Sequence, residues 1–124
     1  MLRDSGVRVL IDHAGRPDPS AGLGQAGFRA LLALADTGRA AVKLSGFAKF
    51  SHQPHPHADA WPYVAALVEA YTADALVWAS DWPFLRAPAR IDYGPLRALA
   101  ERLLPDPRAR RAVLWETPKR LFGF

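Results

Sequence analysis

Three short β-prone runs, each followed by an amphipathic stretch, constrain this chain more than any other feature. The runs are VRVLI at 7–11, AAVKLS at 40–45 and ALVWAS at 75–80. Each is too brief for a helix and is closed by Gly, Pro, Ser or Asp. Strands that alternate with helices run parallel, because the helix carries the chain back to the edge where the strand began. The order β-α-β-α-β-α-α therefore predicts an α/β fold with a parallel sheet and right-handed crossovers.

The intervening stretches have helical spacing. In 23–37, Phe28, Leu31, Leu32 and Ala35 form one stripe, with Gly38 placed to end it. In 60–71, Trp61, Val64, Leu67, Val68 and Tyr71 form the next, with Asp59 as expected cap and Pro62 in the first turn. In 95–104 the stripe is Leu96, Leu99, Ala100 and Leu103. Asp106-Pro107 then predicts a short helix to about 115 by the cap-then-proline rule, and Thr117-Pro118 predicts a last turn by the same rule.

At 124 residues, with 50% hydrophobic and 23% charged residues, the chain reads as one domain over 1–124. It has no apolar run near membrane length, and the opening MLRDSG lacks the apolar core of a signal peptide. Without cysteine it has neither disulfides nor thiolate metal sites. A cytoplasmic location is the expectation. The net charge is +4, and 13 of the 16 basic residues are arginine. They are scattered, except for Arg108, Arg110 and Arg111 on the short terminal helix, so no nucleic-acid partner is expected.

Each β run ends in polar groups: Asp12-His13, Ser45-Gly46 and Ser80-Asp81. In a parallel sheet these ends share one edge, where α/β proteins bind ligands. An acid closing an apolar run, as in LVWASDWPF, is costly unless paired or used. His13 shares a face with Val9 and Ile11 by alternation, so it is expected to continue that row past the strand. A histidine and a carboxylate meeting there can divide proton transfers or share a metal ion. The loop 47–59 holds His52, His55 and His57 between prolines. They suggest a metal such as zinc, but no acid or cysteine is interleaved, and a solvated, lid-like loop is the reading preferred. Dinucleotide, P-loop and nucleophile-elbow motifs are absent from the sequence.

IDHAGRPD, VKLSGFAKFS, VWASDWPF and ETPKRLFGF, in this order and spacing, resemble four successive signatures of amidohydrolase-related proteins, in particular the 2-pyrone-4,6-dicarboxylate lactonase-like hydrolases. The resemblance covers nearly the whole chain. It implies a (β/α)8 TIM barrel, of which this chain is similar to the carboxyl-terminal part, three β/α units plus terminal helices. A full barrel needs about 250 residues. In that family a histidine at the position of His13 and an aspartate at that of Asp81 belong to the active site, the aspartate activating water. An arginine after the S-G pair helps hold a substrate carboxylate; the nearest match here is Lys49, which keeps the charge without the bidentate fork. The family's first-strand H-x-H pair has no counterpart on a strand, since His55-Pro56-His57 lies in the loop.

The resemblance thus implies part of a hydrolase acting on a small lactone or related carbonyl compound. Asp81 is expected as general base and His13 as the group that polarises the carbonyl. Lys49, with Arg16 and Arg86, is expected to hold an anionic group, and Trp82 to wall the site. Ser45 either touches substrate or bonds the turn at Gly46. No cofactor is expected; the alternative implied by the superfamily is a divalent metal such as zinc on His13 and Asp81. Three parallel strands leave two open edges, so the expected partner is an amino-terminal half-barrel or a second copy, and the chain alone is expected to be inactive. The rival reading is a non-catalytic half-barrel that serves only as a remnant or an assembly module.

Overall fold

A computed structural model describes residues 5–124; residues 1–4, which carry most of the expected absence of a signal peptide, lie outside the described residues. Three strands, β1 (Val9–Ile11), β2 (Ala40–Leu44) and β3 (Leu76–Trp78), form one parallel sheet in the order β1-β2-β3. Ile11, Val42 and Leu76 lie on one rung, and Leu44 pairs with Trp78. The strands are shorter than the apolar runs that encode them. β1 begins only where Val9 N–H reaches the Arg39 carbonyl, and Val7, with nothing to pack against, is exposed. Before β3, Ala73–Ala75 forms a 3-10 turn. Among the described residues β1 and β3 each pair with β2 alone, so the sheet has two open edges.

Alternation sorts the strand residues by face. Val42, Leu44 and Leu76 point into the core, all buried, under α1 (Ala26–Ala33) and α2 (Trp61–Tyr71). Phe28 and Leu31 of α1 meet Tyr63, Val64, Leu67 and Tyr71 of α2 there. Phe28 and Tyr63 pack edge to face at 4.9 Å. Leu67 is fully buried, and truncating such a side chain costs about 2–5 kcal/mol. The Tyr71 hydroxyl donates to the Leu31 carbonyl at 2.6 Å, and burial pushes its pKa up to about 12. On the opposite face Lys43 forms an ion pair with Asp12 at 2.6 Å.

Two expected caps take other roles. The Asp59 carboxylate turns away from α2 to accept from the Ser51 hydroxyl and, at 2.7 Å, from His52 N–H, so it ties the preceding loop together. Asp106 does cap α4 (Pro107–Arg111), accepting from the N–H groups of Arg108 and Ala109. Thr117 does not start a separate turn. α4 runs through a π turn (Ala112–Glu116) into α5 (Thr117–Phe122). Pro118 has no N–H to give and its ring crowds the preceding turn; Thr117 N–H reaches back to the Ala112 carbonyl. The buried Thr117 hydroxyl donates to Ala73 O at 2.8 Å and clamps the terminal helix to the turn before β3. α3 (Tyr93–Leu103) buries Leu96, Leu99 and Ala100. No helix among the described residues is long and apolar enough to cross a membrane.

Candidate active site

The three strands release their chain at one edge, and each exit carries a polar residue into the same place. β1 stops at Ile11, after which His13 and Ala14 adopt left-handed backbone at φ 53 and 54. His13 therefore does not prolong the strand's row, as alternation predicted; a turn at the strand's end places it. Its Nδ1 lies 3.0 Å from the Ser45 hydroxyl, and Ser45 is buried at the exit of β2. Between them sits Gly46, at φ 63; a Cβ there would lie 2.4 Å from His13 Nδ1. No side chain other than hydrogen fits under the imidazole. Sequence reasoning took Gly46 as a strand terminator and missed this seat, although a glycine straight after a strand is the signal of a close approach.

Asp81, itself left-handed at φ 67, projects from the exit of β3. His13 Nε2 stands 3.7 Å from its Oδ1. Lys49, on a 3-10 turn (Phe47–Lys49) after β2, places Nζ 3.2 and 3.0 Å from the two carboxylate oxygens. The side chains of His13, Lys49 and Asp81 are 13, 19 and 18% exposed, enough for solvent contact but low enough for charge to act strongly. Burial holds the His13 pKa below its ordinary value; Asp81 pulls it up and Lys49 pushes it down. Asp12, one residue earlier, is held below the usual carboxylate range by its hydrogen bond from Lys43.

The structure thus gathers His13, Ser45, Lys49 and Asp81, and leaves Arg16, Trp82 and Arg86 outside their contacts. Arg16 is exposed on the His13 turn and acts only through its charge, which helps hold His13 neutral. Trp82 is 75% exposed and Arg86 is exposed beyond it, so neither walls the four-residue cluster in this chain. Asp81 lines a narrow crevice with Gly46 and Phe84. A larger cleft of about 570 Å³ adjoins it, sharing Ala48, Ile91 and Leu96, between the loops that follow β2 and β3.

The histidine loop is solvent-exposed at His52 and His55 but not at His57. His57 is buried, its Nδ1 donates to the Gln53 carbonyl at 2.9 Å, and its ring stacks on Phe47. Among the described residues no three His, Asp, Glu or Cys side chains converge as a metal set. At the strand exits this chain offers two donors, His13 and Asp81, with the Lys49 ammonium already on the carboxylate where a metal cation would sit. On their own these two donors do not complete a metal site.

An amidohydrolase family profile matches residues 2–124. The chain belongs to the amidohydrolase family. This amidohydrolase chain is 39% identical over 118 residues to a 4-sulfomuconolactone hydrolase of Rhizobium radiobacter, covering 93% of this chain and 39% of that protein. It is 36% identical over 113 residues to an L-fucono-1,5-lactonase of Burkholderia ambifaria, covering 84% and 38%. A Pseudomonas putida structure described as a 2-pyrone-4,6-dicarboxylic acid hydrolase superposes with a TM-score of 0.85 at 38% identity, covering 95% and 44%. The chain spans about two-fifths of the length of the curated relatives it matches. Its fold is three β/α units of the amidohydrolase (β/α)8 barrel.

Proposed function

We propose that this chain carries the proton-transfer side of a lactone-hydrolysing amidohydrolase. The observation that carries the reading is the convergence of His13 and Lys49 on Asp81 at the exits of adjacent parallel strands, at 3.7 and 3.0 Å from its carboxylate oxygens. The relatives named for lactone hydrolysis support the substrate class. Asp81 takes a proton from the attacking water. His13, kept neutral by burial, donates from Nε2 to the carbonyl oxygen as negative charge develops on it. Lys49 bonds both oxygens of the Asp81 carboxylate. An anionic substrate group draws Lys49 away, so substrate binding frees the base. Arg16 and Arg86 add positive charge at the rim, and Trp82 closes the site from outside once the barrel is complete.

An amino-terminal half-barrel or a second copy of the chain supplies the strands that pair with the open edges of β1 and β3. Alone, the chain leaves the site open to water and supplies no H-x-H strand, so it turns over negligibly. The test is lactone hydrolysis by the chain mixed with a matching amino-terminal half, wild type against Asp81→Asn, with and without chelator. Asparagine keeps the shape but cannot accept the proton, so a loss of about 10²–10⁴-fold is expected. Equal rates in wild type and variant remove Asp81 from the mechanism. Loss of wild-type activity on chelation makes it a metal ligand instead. A pair that stays inactive on every lactone favours the non-catalytic half-barrel.

A further inference from the structure

The turn that carries His13 is left-handed almost throughout. His13 and Ala14 lie at φ 53 and 54, and Arg16 follows at φ 48. Non-glycine residues hold such backbone only where surrounding contacts fix it. The far end of the turn is seated on the helix side. Ala14 is fully buried, and a Cβ at Gly15 would lie 2.7 Å from Leu31 Cδ2. The near end needs an anchor of its own, because Ile11–Val42 is the last rung between β1 and β2.

That anchor stands on β2. Lys43 and Ser45 alternate along the strand, so both occupy the face away from Val42 and Leu44. Lys43 Nζ lies 2.6 Å from Asp12 Oδ1, and the Ser45 hydroxyl lies 3.0 Å from His13 Nδ1. Two successive residues of the β1 exit are thus bonded to two alternate residues of β2. Lys43 hydrogen-bonds the Asp12 carboxylate, while His13 and Arg16 face it as charges. Ser45 holds the imidazole itself, and Lys43 holds the residue from which the turn departs.

We propose that Lys43 is a positioning residue: through its ion pair with Asp12 it holds the left-handed turn that presents His13 to Asp81. It acts through Asp12 and the turn, not on the reacting atoms. In the chain alone the Lys43 and Asp12 side chains are 27 and 58% exposed, and an ion pair so open to water adds little stability. The helices cover the other face of the sheet, so in a (β/α)8 barrel this face turns to the interior. Completing the barrel takes the pair out of water, where charge acts more strongly. That the hold on His13 serves lactone hydrolysis rests on the lactone-hydrolase reading; the hold itself does not.

The experiment follows the nuclear Overhauser contact between the His13 ring and the Gly46 α-protons in the 124-residue chain. That signal falls with the sixth power of distance and does not report charge. Lys43→Met is expected to weaken it several-fold, with a urea midpoint close to that of the wild type. Asp12→Ala is expected to do the same. The double variant should weaken it no more than either single one, because both delete one bond. Lys43→Arg keeps a cation on Asp12 and should keep the contact. An undiminished contact in Lys43→Met overturns the proposal. So does additive weakening in the double variant, or an equal loss in Lys43→Arg. Should Lys43→Met fail to fold, Asp12→Ala, at the more exposed partner, decides by the same signal. In a reconstituted pair that hydrolyses lactones, Lys43→Met should lower kcat about tenfold or more with KM little changed, since a misplacement of ~1 Å can cost about 10²-fold. An unchanged kcat there also overturns the proposal. A pair that hydrolyses no lactone counts against the lactonase reading alone, and the contact in the 124-residue chain still decides the role of Lys43.

Discussion

Replacing Gly46 by alanine adds one methyl group at the point where the site is tightest. Two costs follow. At φ 63 an alanine pays about 1–2 kcal/mol for left-handed backbone. Its Cβ would also lie 2.4 Å from His13 Nδ1, 2.7 Å from Cγ and 3.1 Å from Cβ, so the ring must move. Overpacking of this kind costs about 1–3 kcal/mol, which includes the roughly 1 kcal/mol of a lost Ser45–His13 hydrogen bond. Gly38 supplies the control: it has the same φ of 63 and open space around its Cβ position. Gly38→Ala therefore carries only the backbone cost, and any entropy gained by stiffening the unfolded chain is common to both. The assay is thermal unfolding of the wild-type chain and the two variants. Gly46→Ala is expected to fall about 2 kcal/mol below Gly38→Ala, a further drop of about 5–10 °C in Tm for a chain this size. The His13 ring resonances should move in Gly46→Ala and stay in Gly38→Ala. Equal Tm values in the two variants, with His13 unmoved, would refute the contact on which the site geometry rests.

Other outcomes can be checked on the same material. His13 is held below its ordinary pKa by burial, so near pH 6 the unfolded chain binds more protons than the folded one. Stability should therefore decline as pH falls through about 6.5, and His13→Asn should flatten that part of a Tm-versus-pH profile. Asp106→Ala removes the two cap bonds at the start of α4 and should lower unfolding stability by about 1 kcal/mol in urea titrations. In the reconstituted pair Lys49→Met should raise KM for an anionic lactone far more than for a neutral one, because it deletes a point charge that only the anion uses.

The sheet order and the convergence of polar exits were legible because they depend on periodicity and on the geometry of helix-linked strands. The apolar stripes of 60–71 and 95–104 face the core as their spacing required, with Val64, Leu67, Leu96 and Leu99 all buried. What sequence could not show came from contacts between residues far apart in the chain. His13 has no local preference for left-handed backbone; its pose depends on Ser45 and Gly46, more than 30 residues away. Asp59 and Thr117 both carry the letters of a helix cap, yet Asp59 ties the loop just before it and Thr117 bonds the turn before β3, 44 residues away. His57 looked like one member of a polar cluster, whereas it is buried against Phe47 and its Nδ1 donates to the Gln53 carbonyl. Lys49 was expected to hold a substrate anion, whereas its Nζ pairs with the Asp81 carboxylate.

The placement of β2 between two edge strands also sets how the molecule breathes. Amides of β2 are bonded within the sheet on both sides and should exchange with solvent only when the whole chain opens. β1 and β3 can fray outward one at a time at a fraction of that free energy. Ser45 and Gly46 thus ride on the slowest part of the molecule, while His13 and Asp81 hang from its two looser margins. Their 3.7 Å contact spans those two margins, and any polypeptide that adds a strand to either one should steady it.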